Sequence, residues 1–249
     1  MKVVVIIPAA GLGTRMASVP SGKGKKPTPS KQFTELGGTP VLIHTLGKFA
    51  ASPEISEIYV ALRKAEIGSF RKRLEREAPD IFQKEVTFVE GGEHRQHSVA
   101  NALAAVSASP DDIILVHDAV RPFVTQEIIH SVISAAQKYG AVIAGLPAVD
   151  TVKQVERTAE GAVVIATLPR ERVVMAQTPQ GFRYHVLKKA FDEATDDGFS
   201  GTDEASLVEH SGHQVAVVMG SPRNIKITTP ADLELAEYYL KTTPADGHR

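Results

Sequence analysis

The residues best suited to chemistry stand near the start of the chain. Val3-Val4-Val5-Ile6-Ile7-Pro8 runs into Ala9-Ala10-Gly11-Leu12-Gly13-Thr14-Arg15-Met16, and Lys31 follows in Pro29-Ser30-Lys31-Gln32-Phe33. A strand ending in a glycine-rich turn lets backbone N–H groups approach phosphate oxygens, because no Cβ stands in the way. Arg15 and Lys31 add fixed positive charge suited to a polyphosphate. Neither common phosphate loop fits. A dinucleotide fingerprint needs a third glycine where Met16 stands, and there is no Gly-Lys-Ser/Thr run. That argues against both hydride transfer and ATP hydrolysis.

Further candidates lie downstream. Asp118 and Arg121 sit in Val116-His117-Asp118-Ala119-Val120-Arg121-Pro122, just past a predicted central strand, where open α/β sheets bind ligands. A carboxylate there can hold Mg²⁺ beside phosphates, or it can pair with Arg121 to cap the loop. Gly91-Gly92-Glu93-His94-Arg95-Gln96-His97-Ser98 opens a helix after another strand. Its backbone and Ser98 could read a base edge, or it could be a plain strand-to-helix turn. Thr202-Asp203-Glu204-Ala205 reads as a helix N-cap. Lys226, inside the apolar run Asn224-Ile225-Lys226-Ile227-Thr228, must either snorkel or meet an anion. His94 and His97 have no metal-ligand spacing and read as surface residues, while His44 and His117 read as structural.

These residues need a frame, and strand-like and helix-like segments alternate to supply it. Strands are predicted at Val3–Ile7, Glu57–Leu62, Glu85–Val89, Ile113–His117 and Ala141–Leu146. Helices are predicted over Pro40–Ala51, Ala65–Glu77, His94–Ser107 and Thr125–Tyr139, the last stopped by Gly140. The pattern implies an α/β fold, a Rossmann-like, mostly parallel sheet with helices on both faces. Residues 147–183 break it with short alternating segments around Glu160-Gly161, an inserted β-hairpin arm whose exposed edges call for a partner subunit. Helices resume at Tyr184–Ala194 and Thr202–His210. Strands follow at Gln214–Met219 and Asn224–Ile227, and Pro230 opens a last helix to Leu240. Ser18–Ser30 has the composition of a mobile loop, either solvated or folding onto phosphates, and Thr243–Arg249 that of a frayed tail.

The chain as a whole narrows the choice. Its 249 residues suffice for one large α/β domain, taken here as 1–249 with the arm inserted. The net charge of −1 does not steer it toward nucleic acid or an anionic membrane, so any phosphate site is a local basic pocket. With no cysteine, disulfides, thiolate metal sites and a Cys nucleophile are excluded. The apolar run at the start is too short to span a membrane and poor as a signal peptide. A cytoplasmic location is expected, or the stroma if the source bears plastids.

Taken jointly, these motifs resemble the 2-C-methyl-D-erythritol 4-phosphate cytidylyltransferases. The resemblance runs through Pro8–Met16, Pro29–Phe33, Gly91–Val99, Val116–Pro122, Asp150–Lys153, Gln177–Gln180, Thr202–Ala205 and Asn224–Thr228. It implies a nucleotidyltransferase fold and Mg²⁺-dependent transfer of CMP from CTP to methylerythritol phosphate. Arg15, Lys31 and Lys226 would hold the phosphates and the charge developing at the α-phosphorus. Ala10, Gly11, Gly13, Gly92, Glu93, Ser98 and Asp118 would bind the nucleotide, with Asp118 also on the metal. Arg121, Thr151, Thr202 and Lys226 would grip the acceptor, with Arg170 reaching in from the second subunit of a homodimer built on the arm. The family often has Asp where Glu93 stands and an acidic residue where Arg223 stands. A ribitol-5-phosphate cytidylyltransferase is the nearest alternative and a dinucleotide-dependent oxidoreductase a more distant one. Pro8-Ala9-Ala10-Gly11 and Thr202-Asp203-Glu204-Ala205 favour the methylerythritol phosphate family.

Overall fold

In the computed structural model, which describes residues 1–11 and 31–242, the first apolar run is strand β1 (Val3–Pro8). Its side chains alternate between two cores, as the pleat requires. Val3, Val5 and Ile7 enter one, and Val4 and Ile6 the other. A strand buried on both faces is continuously apolar, which is why this segment shows no polar alternation.

The strands after it are β2 (Glu35–Leu36), β3 (Thr39–Pro40), β4 (Glu57–Leu62), β5 (Glu85–Glu90), β6 (Ile113–Val116), β7 (Ala141–Pro147), β8 (Val152–Thr158), β9 (Gly161–Leu168), β10 (Val174–Arg183) and β11 (Ala216–Met219). The helices are α1 (Val41–Ala50), α2 (Lys64–Glu77), α3 (Arg95–Ala105), α4 (Gln126–Tyr139), α5 (Tyr184–Asp196), α6 (Glu204–His210) and α7 (Pro230–Thr242). The central sheet has seven strands in the order β11-β7-β10-β6-β1-β4-β5. All pairings are parallel except those of β10, which runs antiparallel to both β6 and β7. Residues from α1, α2 and α4 fill the core on one face, and residues from α3, α5 and α6 the core on the other. Gly140 ends α4 at φ 84°, a conformation that favours glycine. The mostly parallel α/β architecture is therefore as expected from the alternation of segments.

Two expectations need correction. The last part of the stretch assigned to the arm, Val174–Arg183, is the central strand β10. Gln177-Thr178-Pro179-Gln180-Gly181 does not read as a core strand, yet a Cβ on Gly181 would lie 2.7 Å from the Val132 side chain, so glycine lets α4 approach the sheet. The hairpin itself is β8–β9, a separate two-stranded sheet with almost every residue exposed. Second, Asn224–Ile227 is not a strand. Its isoleucines pack in a small cluster with Leu36, Val41, Val120 and Ala236, and the backbone is held by single bonds such as Ile227 N–H to Val120 O. The apolar alternation there marks an irregular segment lying over a loop, not a ladder. Gly13, Arg15, the Ser18–Ser30 loop and the Thr243–Arg249 tail lie outside the described residues.

Candidate functional site

The carboxyl ends of β1, β5 and β6 converge on a cavity of about 260 Å³ lined by Pro8–Gly11, Lys31, Gln32, Gly92–Arg95, Ser98, Asp118–Val120 and Lys226. This is the crevice where a parallel sheet presents its loops. The first loop is held by Gln32, a buried side chain whose Nε2 donates to the carbonyls of Ala9, at 2.6 Å, and Gly11, at 3.3 Å. The second loop approaches so closely that a Cβ on Gly91 would lie 2.4 Å from Cβ of Ala10. Ser98 shapes that turn from below: its Oγ accepts from Gly92 N–H at 3.1 Å and lies 3.1 Å from the His94 carbonyl. Glu93 and His94 are exposed on the rim.

Asp118 is the electrostatic centre of the cavity. One oxygen meets Nζ of Lys226 at 2.8 Å and Nε of Arg121 at 3.5 Å, and the other meets Nε of Arg95 at 3.2 Å. Burial opposes its charge, but Arg95, Lys226 and Arg121 outweigh burial and hold the carboxyl well below the usual range. The structural Asp118–Arg121 pair exists, and the carboxylate also lines the cavity. Lys226 meets an anion, as an apolar setting demands.

A buried hydrogen-bond network sets the loop. Asp118 N–H donates to Thr178 Oγ1 at 3.0 Å, and that hydroxyl lies 3.2 Å from Nδ1 of His117. Nε2 of His117 faces the Arg121 carbonyl at 3.0 Å. Burial pushes the His117 pKa down to about 4, so at neutral pH the ring is uncharged. Nε2 then carries the proton toward the carbonyl and Nδ1 accepts from Thr178. Arg121 Nη1 donates to the Asn224 carbonyl at 2.6 Å, and Asn224 Nδ2 to the Thr178 carbonyl at 2.8 Å. These bonds tie the Asp118 loop and the Lys226 segment to β10. His117 and His44 are thus structural, the latter bonded to the Leu36 carbonyl at 2.8 Å.

A second compartment of about 170 Å³ adjoins the first, lined by Arg121, Gln177, Thr178, Gln180, Thr202 and Asp203, and it shares Arg95, Asp118 and Lys226 with it. Two anion-sized spaces on either side of one carboxylate and several cations suit a reaction between two phosphates.

Of the residues singled out in the sequence, Ala10, Gly11, Lys31, Gly92, Glu93, Ser98, Asp118 and Lys226 line the first compartment, and Arg121 and Thr202 the second. Thr151 and Arg170 do not line either. Both are exposed at the arm, where Arg170 Nη1 donates to the Val149 carbonyl at 3.0 Å. Arg223 lies over the ring of Tyr239, 5.2 Å from its centroid. The residues that sequence reasoning missed are Gln32, Arg95, Thr178, Asn224 and the buried Glu204. Arg95 carried a readable signal, since a cation at a helix start opposes the macrodipole and needs anionic partners. Among the described residues, no group of three or more His, Cys, Asp or Glu side chains could hold a metal unaided, and no helix is long and apolar enough to cross a membrane.

Comparison with known proteins points to one family. The family model described as 2-C-methyl-D-erythritol 4-phosphate cytidylyltransferase matches residues 3–242. A protein of that description from Acidobacterium capsulatum is 56% identical over 241 residues, covering 97% of this chain and 98% of that one. Another from Solibacter usitatus is 53% identical, covering 98% of each. The crystal structure of the Francisella tularensis 2-C-methyl-D-erythritol 4-phosphate cytidylyltransferase superposes with a TM-score of 0.77 at 35% identity, covering 96% of this chain and 99% of that one. That of the Thermus thermophilus protein gives a TM-score of 0.74 at 35% identity, covering 97% and 100%.

Proposed function

The chain belongs to the 2-C-methyl-D-erythritol 4-phosphate cytidylyltransferase family, and on that premise we propose how its residues divide the work. The activity is transfer of CMP from CTP to 2-C-methyl-D-erythritol 4-phosphate with release of pyrophosphate, in isoprenoid precursor biosynthesis. The observation that carries the division of labour is the pair of compartments meeting at Asp118 and Lys226.

CTP occupies the larger compartment, with its base toward Ala10, Gly92, Glu93 and Ser98 and its phosphates toward Gly11, Gly13, Arg15 and Lys31. Ser98 serves the base indirectly, by shaping the turn whose backbone meets it. The acceptor phosphate occupies the smaller compartment, near Arg121, Thr202 and Lys226, with Thr151 and the partner subunit's Arg170 closing it. The acceptor oxygen is already anionic, so no general base is required, and catalysis is positioning plus electrostatic stabilisation. Arg15, Lys31 and Lys226 offset the charge that builds at the α-phosphorus as the new P–O bond forms and pyrophosphate leaves.

The donor set suits a divalent cation that brings phosphate oxygens with it. Asp118 supplies one carboxylate beside the phosphate compartment, which is what Mg²⁺ takes in such sites. When bound there it neutralises triphosphate charge, in the manner of metal ions on transferring phosphoryl groups. The arm supports a homodimer, because Val155, Val163, Val164 and Ile165 stand exposed on a hairpin that is marginal alone. A cytoplasmic location follows from the same reading, and neither nucleic acid nor membrane is a partner.

Pyrophosphate release with CTP and Mg²⁺ tests this reading. Release with methylerythritol 4-phosphate but little with ribitol 5-phosphate is expected, and the reverse preference would move the chain to the ribitol enzymes.

A further inference from the structure

Glu204, in the Thr202-Asp203-Glu204-Ala205 motif, has no place in the division of labour above, yet it is a carboxyl 1% exposed beside the site, where burial pushes its pKa up against the opposing pull of Arg95. Both its oxygens accept from Nη1 of Arg95, at 2.7 and 2.8 Å. Arg95 opens α3, an end with no side-chain cap, where the macrodipole disfavours a cation. Arg95 lines both compartments. It reaches Asp118 through Nε alone, at 3.2 Å, so the two-oxygen engagement goes to Glu204 and the single bond to Asp118. The anchor behind Glu204 is rigid. Gln180 on β10 accepts from Ala205 N–H at 3.0 Å and donates to Asp203 at 2.7 Å, while Asp203 caps α6 through Ser206 N–H.

We propose that Glu204 is a positioning residue for CMP transfer, holding Arg95 from behind so that Asp118 keeps an oxygen for Lys226 where the two compartments meet. This rests on reading those compartments as the CTP and acceptor sites. Two carboxylates, Glu204 and Asp118, compete for Arg95. Arg95 divides its donors between them, Nη1 shared by both oxygens of Glu204 and Nε on one oxygen of Asp118. A carboxamide at position 204 would turn an N–H toward Nη1 and release the guanidinium to Asp118. Arg95 would then take the oxygen that faces Lys226 at 2.8 Å, and the lysine would lose its anchor between the compartments. Neither Glu204 nor its substitute touches substrate, so the effect falls on turnover more than on nucleotide affinity.

The test compares Glu204→Gln, Arg95→Lys and the double variant with wild type in steady-state CMP transfer, with thermal melts alongside. Arg95→Lys keeps the charge but carries its donors on one nitrogen, so it cannot hold Asp118 and Glu204 from the two separate nitrogens that Arg95 uses. Asp118, no longer held at its other oxygen, is free to turn from Lys226, and the variant remains informative even if Glu204→Gln fails to fold. Glu204→Gln is expected to lower kcat by about 10- to 100-fold while the KM for CTP moves less than about threefold, the scale set by misplacing a reacting group by about 1 Å. Arg95→Lys should do the same, and the double variant should fall no more than about threefold below the worse single, because the two act as one unit. A folded Glu204→Gln with wild-type kcat overturns the proposal, as do independent losses that multiply in the double variant. If Glu204→Gln does not fold, wild-type kcat in Arg95→Lys overturns it. A wild-type protein that transfers CMP to neither acceptor overturns the underlying reading instead, and the inference with it.

Discussion

Lys226→Ala separates catalysis from stability, because the proposed role gives its side chain far more weight in the reaction than its contacts give it in folding. The side chain is 39% exposed, and its ammonium pairs with Asp118 at 2.8 Å. A partly exposed pair of this kind contributes about 0.2–1 kcal/mol to folding. Removing it does not strand a buried charge, since Asp118 keeps Arg95 at 3.2 Å and Arg121 at 3.5 Å, so the larger penalty for an orphaned carboxylate does not apply. At about 2–4 °C per kcal/mol for a chain of this size, the melting temperature should fall by no more than about 4 °C. The segment itself stays anchored by Asn224 to the Thr178 carbonyl and by Ile227 to Val120. In the proposed reaction, however, the substitution would delete a cation that offsets the developing charge, a loss of about 10²–10³ in rate, or about 2.7–4 kcal/mol. Pyrophosphate release at saturating CTP and acceptor, with a thermal melt on the same sample, measures both. A kcat within tenfold of wild type refutes the assigned role. A melting temperature lowered by more than 10 °C would instead make Lys226 a structural residue.

Three further outcomes follow from named contacts. Gly91→Ala places a methyl group 2.4 Å from Cβ of Ala10, so the two nucleotide loops must part, and the KM for CTP should rise while overpacking costs about 1–3 kcal/mol in a denaturant melt. Asp112 accepts from the backbone N–H groups of Lys2 and Ser109, both at 2.7 Å. The Lys2 bond first, with that of Ser109, lowers its pKa from 3.8 against the opposing effect of burial. Its stabilisation is thus complete above the unfolded pKa and lost as pH falls through the lower folded one. Asp112→Asn should be less stable than wild type at pH 6–8, with the gap closing below about pH 4 in urea titrations. Finally, a mixture of Arg170→Ala and Lys31→Ala subunits should recover about a quarter of wild-type activity, since half of randomly formed dimers hold one complete site. No recovery in the mixture would mean that each site is built from a single chain.

Much of the frame was legible because local chemistry determines it. The bounds of β4 are those read from its apolar run, and Gly140 stops α4 where a left-handed residue was needed. Gly11, Gly92, Lys31 and Lys226 could be named because a phosphate pocket needs close backbone approach and fixed charge, whatever surrounds it, whereas Arg95 was passed over. The Asn224–Ile227 segment misled for an equally local reason, since packing against a loop produces the same apolar alternation as pairing in a sheet.

What the chain by itself determined is the layered α/β frame, the set of phosphate-seeking residues and the family they resemble. Tertiary structure alone decided that β10 enters the sheet centre against the run of its neighbours, carrying Thr178 and Gln180 under the site. It also decided that Arg95 finds Glu204, 109 positions away, and divides itself between two carboxylates. Such pairings depend on which distant loops the folded sheet brings to one edge, and no pattern of neighbouring residues encodes that.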